Sequence, residues 1–198
     1  DSIADAVVAD GIDCDASALA RPEWRFQPAA VTDLFDRIMA CGRPLDEVVG
    51  GRIYYGVKTG LNEAFVIDQA TRDRLVATDP ACAPILRKML SGENLRPWYQ
   101  ADEGNWLVVM PNGFTRQSSG LTDETSAWAW LSAHYPALST HLAQFEKPAR
   151  KRTDQGEFWW ELRSCDYYPA FDQPKIIWPD IAKLPRFSWD TEGAYVNN

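Results

Sequence analysis

The chain has 198 residues, 45% of them hydrophobic, and 28 acidic against 20 basic side chains give a formal net charge of −8. That apolar content suffices for one well-buried core and excludes a disordered chain, while the acidic balance is the opposite of a strong nucleic-acid footprint. Cys14, Cys41, Cys82 and Cys165 show no C-x-x-C spacing, and His134 and His141 stand seven apart without a cysteine nearby, so neither a zinc site nor a disulfide framework is expected. The longest apolar stretches, such as Trp106 to Pro111, are too short to span a bilayer, and no basic-plus-apolar leader opens the sequence. A cytoplasmic protein with no membrane partner is the expectation.

Asp1 stands where a Met would open a complete chain, and a strand-like run before Asn198 has no closing element, so the sequence reads as an excised fragment, truncated at its C-terminal end. Residues 1 to 28 show no clear period until Trp24 and Phe26. Residues 29 to 40 then place Val31, Leu34, Phe35 and Ile38 at i, i+3, i+4, i+7, which predicts a helix stopped by Gly42 and Pro44. Residues 1–44 are accordingly a lead-in segment with one helix, and residues 45–198 the main domain, opened by a turn of helix over 45–49.

Two β-favouring runs, 53–57 and 64–67, flank a polar loop carrying Lys58, Thr59, Gly60 and Asn62, which predicts strand, glycine-punctuated turn, strand. Short helices are expected over 69–77 and 80–90, the second because Ile85, Leu86, Met89 and Leu90 share a helical face. Residues 105–110 form the clearest central strand, closed by Pro111, Asn112 and Gly113. Thr122 and Asp123 cap a further helix, interrupted at Pro136 and resumed over 137–145, and four short β-favouring runs follow at 158–162, 175–178, 186–189 and 194–196. Without βαβ alternation, the fold class is α+β, a mixed and largely antiparallel sheet with several short helices.

Charge is uneven. Residues 1–50 hold ten acids against four arginines, whereas Lys147, Arg150, Lys151 and Arg152 place four cations within six positions. Lys151 and Arg152 suit phosphate or guanine, Thr153 phosphate or a thymine methyl, and Gln155 adenine; a solvated helix end is the alternative. Nine tryptophans among 24 aromatics offer stacking surfaces or core filling, and core filling is favoured for every one except Trp98. The polar loop has an alternative too, an ordinary hairpin in which Asn62 only closes its own turn.

The run from Tyr55 to Asp68, Tyr-Gly-Val-Lys-Thr-Gly-Leu-Asn-Glu-Ala-Phe-Val-Ile-Asp, resembles the opening motif of the TaqI-like C-terminal specificity domain of adenine-specific DNA methyltransferases and fused type II restriction-modification enzymes. Three more blocks resemble that family in order: 85–98, ending Asn-Leu-Arg-Pro-Trp; 135–163, with Lys-Arg-Thr-Asp-Gln-Gly and Trp-Glu-Leu-Arg; and 171–179, with Pro-Lys-Ile-Ile. The resemblance spans about residues 45 to 198. It implies a domain that recognises double-stranded DNA sequence-specifically and positions an adenine for a separate catalytic methyltransferase domain of the same polypeptide, with or without an endonuclease activity. Arg96, Trp98, Arg163 and Lys175 join the DNA-binding candidates through it. The methyltransferase glycine-rich loop and Asn-Pro-Pro-Tyr motif do not occur in these 198 residues, so S-adenosylmethionine is expected in the parent and no cofactor, metal or catalytic residue in this fragment. An aromatic-rich glycan-binding module is the competing function.

Overall fold

The computed structural model describes residues 2–12, 16–20, 22, 24 and 27–197, and its internal contacts divide the chain into two units, Asp1–Ile53 and Tyr54–Asn198. Cys14 and Phe26, on which sequence expectations fell, lie outside the described residues. The first unit holds α1 (Ile3–Asp10), a 3-10 segment (Ala16–Ala20), α2 (Ala29–Ala40) and α3 (Leu45–Val48). α1 starts at a reciprocal capping box between Ser2 and Asp5. α2 falls where its apolar period predicts, yet Val31, Leu34, Phe35 and Ile38 remain exposed, and none of the three helices buries a residue.

The second unit begins with α4 (Asn62–Phe65), β1 (Val66–Asp68) and α5 (Gln69–Thr78), the last capped by Asp68, which accepts from the Thr71 amide at 2.7 Å. After a 3-10 segment (Pro80–Ile85) come β2 (Leu86–Ser91), β3 (Leu95–Arg96), β4 (Tyr99–Gln100) and β5 (Asn105–Val108). Four helices follow: α6 (Phe114–Ser119), α7 (Glu124–His134), α8 (Pro136–Ala143) and α9 (Glu146–Ala149). The described chain closes with α10 (Tyr168–Phe171), β6 (Lys175–Ile177), β7 (Ser188–Asp190) and β8 (Tyr195–Asn197). The principal sheet runs β1-β5-β2-β8, antiparallel except for the β2–β8 pair, and β3–β4 and β6–β7 form separate antiparallel pairs. This is the mixed, largely antiparallel α+β class that the sequence predicts.

Several predicted elements differ. Residues 80–90 are not one helix: the 3-10 segment ends at Ile85, and Leu86–Ser91 pairs with β5 at one end (Leu86 opposite Val108) and β8 at the other (Met89 opposite Tyr195). Leu86, Met89 and Leu90 are buried because the strand lies inside the sheet, and their helix-like spacing reflects cover on both faces rather than one. Nor do residues 53–57 and 64–67 make a hairpin. The first run is irregular, and its recorded bond to the sheet is the Val57 N–H donated to the Val196 carbonyl at 2.7 Å. The second starts with the helical turn α4, because β1 takes β5 as its partner (Val66 opposite Leu107).

The core gathers β2, β5, α7 and α8 around Leu90, Leu107, Leu131, Leu138 and Leu142. Residues 158–162, expected as a strand, are irregular and serve packing instead: Trp128 meets Trp159 at 4.8 Å and Trp160 at 5.1 Å, and Phe158 stacks on Trp160 at 4.6 Å between ring centres. Most tryptophans of the second unit are core or partly buried residues, as composition suggests.

Candidate nucleic-acid interface

The loop from Lys58 to Asn62 and the segment from Lys151 to Gln155, far apart in sequence, pack directly on each other. Arg152 is the joint. Its guanidinium donates to the carbonyls of Thr59 (2.6 Å), Trp159 (2.8 Å) and Glu161, lies 4.2 Å over the Phe65 ring, and is only 7% exposed. Burial pulls its pKa down to about 10, against the opposing pull of the Asp154 carboxylate, so it stays charged at neutral pH. Gly60 sits in the same joint with φ 68°, and an added Cβ would stand 3.1 Å from that of Asp154 and 3.4 Å from that of Arg152. Glycine is required there both for the left-handed backbone and for the close approach.

This geometry corrects part of the expected site. The fork of Arg152 is committed to three carbonyls and meets no solvent phosphate. Thr59 is 2% exposed; its hydroxyl donates to Asn62 Oδ1 at 2.6 Å and accepts from the Leu61 amide at 3.2 Å, which closes the turn from inside. Lys175 is half-buried and committed to Asp190 and the Phe171 carbonyl (2.6 Å), holding β6 to β7. Arg150 is exposed but neutralised by Glu124 and by Glu146 at 2.9 Å. Arg96 folds back on its own turn, donating to the Leu95 carbonyl at 3.1 Å and to that of Glu93. Each guanidinium or ammonium found a carbonyl or carboxylate nearer than solvent, a preference that sequence spacing cannot display.

What stays on the surface of these two segments and of α9 is a smaller set. Lys58, Lys147 and Lys151 are exposed, and no ion pair is recorded for them among the described residues. Asn62, Thr153 and Gln155 are exposed neutral donors and acceptors, and the Asn62 amide nitrogen has no recorded protein partner. Lys147 and Lys151 share a face one turn apart, because the helical bonding of α9 continues through Arg150 N–H to the Glu146 carbonyl. Of the nearby carboxylates, Asp154 faces Arg163 at 3.7 Å, Glu157 pairs with Arg116 at 2.8 Å, and Glu63 is exposed. Arg163 therefore lies at the rim of this surface, half exposed and weakly paired.

The platform beneath is rigid. Glu161, fully buried, accepts from the amides of Gly113 (2.9 Å) and Thr115 (2.8 Å) at the start of α6, and Trp160 donates its indole N–H to the Thr115 hydroxyl at 2.9 Å. Gly156 completes this knot, since an added Cβ would fall 2.7 Å from Glu161 Cβ and 2.8 Å from the Leu162 carbonyl. The Trp-Glu-Leu-Arg run is thus scaffolding for the surface rather than part of it. Trp98 lies elsewhere, on the turn between β3 and β4 and followed by exposed Tyr99, while β7 and the loop before it carry exposed Trp189 and Lys183 and half-buried Arg186. A separate cleft of about 490 Å³ opens beside β1, lined by Glu63, Asp68, Arg74 and His141 among others.

No family model and no curated protein matches this chain.

Proposed function

We propose that the second unit is a double-stranded DNA recognition module, the target-recognition domain of an adenine-specific DNA methyltransferase or fused type II restriction-modification enzyme. One observation carries the reading: the two segments that resemble family motifs at Lys58–Asn62 and Lys151–Gln155, separated by about ninety residues, are locked together through Arg152, with three unpaired lysines and three neutral hydrogen-bonding side chains left outward. Lysines contribute sequence-independent phosphate contacts, and Asn62 and Gln155 have the donor–acceptor pair that matches adenine in the major groove. The net charge of −8 does not oppose this reading, because the acidic excess is concentrated in residues 1–50.

In this reading catalysis lies in a separate domain of the same cytoplasmic polypeptide, which would bind S-adenosylmethionine and flip the adenine. In the same reading this chain itself transfers no methyl group. Titration of a labelled duplex against salt tests the proposal: Lys58→Ala and Lys151→Ala should each weaken binding to every sequence and lower the slope of log affinity against log salt by about 0.9. Absence of duplex binding at low salt refutes it.

A further inference from the structure

Trp98 occupies the turn between β3 and β4 with φ 76°, and among the described residues it alone has a positive φ without being glycine. For an L-residue this region costs about 1–2 kcal/mol, and glycine would make the same turn without strain. The backbone is pinned, its N–H donating to the Phe187 carbonyl at 2.9 Å, yet the indole is 85% exposed and has no recorded partner. Folding therefore gains almost nothing from this side chain while bearing its strain, the pattern expected where a ligand supplies the missing contact.

Its surroundings say what ligand. Tyr99, the next residue, is 60% exposed. β4 is fastened to β7 by Gln100, which donates to the Ser188 hydroxyl (2.5 Å) and the Trp189 carbonyl (2.8 Å). On β7, Trp189 is 57% exposed and stands opposite Ile176 of β6, so both project from one face. The loop before β7 adds exposed Lys183 and half-buried Arg186, for which no ion pair is recorded among the described residues, against one exposed acid, Asp180. Exposed indole and phenol rings flanked by unpaired cations are what an unstacked base and its phosphate require. A sugar would instead need neutral hydrogen-bonding groups around the rings, and the Gln100 amide is already spent.

We infer that the Trp98 turn, with Tyr99 and Trp189, is a stacking platform for an unpaired DNA base, distinct from the Lys58–Lys151 surface; this rests on the reading of the unit as a DNA-binding module. The test compares a fully paired duplex, the same duplex with one bulged adenine, and a soluble oligosaccharide mixture, each titrated against the full chain by anisotropy or tryptophan fluorescence. Wild type should prefer the bulged duplex by roughly 5- to 150-fold. Trp98→Gly should erase that preference, keep paired-duplex affinity, and melt no lower than wild type, since it relieves the turn. Trp98→Asn, which tolerates the same backbone region, should repeat the loss without added chain flexibility, and Trp98→Tyr should retain most of the preference. Binding of paired DNA with no preference for the bulge, or a preference that survives Trp98→Gly, overturns the platform alone. A lowered melting temperature in both Trp98→Gly and Trp98→Asn makes the indole structural and overturns it too. No DNA binding of any form, or oligosaccharide binding lost in Trp98→Gly, overturns the parent reading with it.

Discussion

Replacing Arg152 by alanine separates a structural pin from a DNA contact. The guanidinium holds three main-chain carbonyls from two distant segments and covers Phe65, and alanine leaves those acceptors facing a cavity. A buried acceptor stripped of its partner costs about 1–3 kcal/mol, and the lost cation–π contact about 0.5–2. Against this, removing the guanidinium returns the cost of burying a charge, which is evident in its lowered pKa. The net expectation is a loss of about 3–5 kcal/mol, a large part of the stability of any single domain and roughly 10–15 °C in melting temperature. Urea unfolding followed by tryptophan fluorescence measures it, because Trp159 and Trp160 sit in the same knot. Lys151→Ala, its exposed neighbour, should leave the midpoint within about 0.5 kcal/mol of wild type while reducing duplex affinity. If Arg152→Ala unfolds like wild type and instead loses DNA binding, the pinning argument is wrong and Arg152 belongs on the surface.

Burial pulls the His141 imidazole below its usual 6.5, with the Ala64 carbonyl opposing at 3.0 Å and Arg74 reinforcing. The neutral ring's contribution to stability is complete above about pH 6.5 and is lost as pH falls through the lower folded value, so the melting temperature should fall between pH 7 and 5, and His141→Gln should flatten that fall. Gly60→Ala should cost about 1–2 kcal/mol from its positive φ alone, and Gly156→Ala more, because a main-chain carbonyl blocks the new methyl; denaturant midpoints rank them. The Cys82 thiol, buried and facing Asp79, is pushed up to about 12, so alkylation at pH 8 should label exposed Cys41 and spare Cys82 until the chain unfolds, as read by mass spectrometry.

Local rules read from the sequence placed the elements whose determinants are local. The apolar period gave α2 its bounds, Asp123 capped α7 with a bond to the Ser126 amide, Pro136 broke α7 from α8, and the turn chemistry of Pro111 to Gly113 closed β5. Only tertiary structure could decide between strand and helix for residues 86–91, since an apolar run covered on both sides has no period that distinguishes them, and the partners that settle it, β5 and β8, lie up to a hundred residues away. The same holds for the cations. Sequence shows Lys147, Arg150, Lys151, Arg152 and Lys175 as equivalent charges, but a buried charge must find partners and an exposed one need not. The folded chain therefore turned Arg152 inward to carbonyls, paired half-buried Lys175 with Asp190 and Arg150 with two glutamates, and left Lys147 and Lys151 outside. Trp98 shows both sides: its type and motif context singled it out, while its positive φ and bare indole are properties of the fold alone.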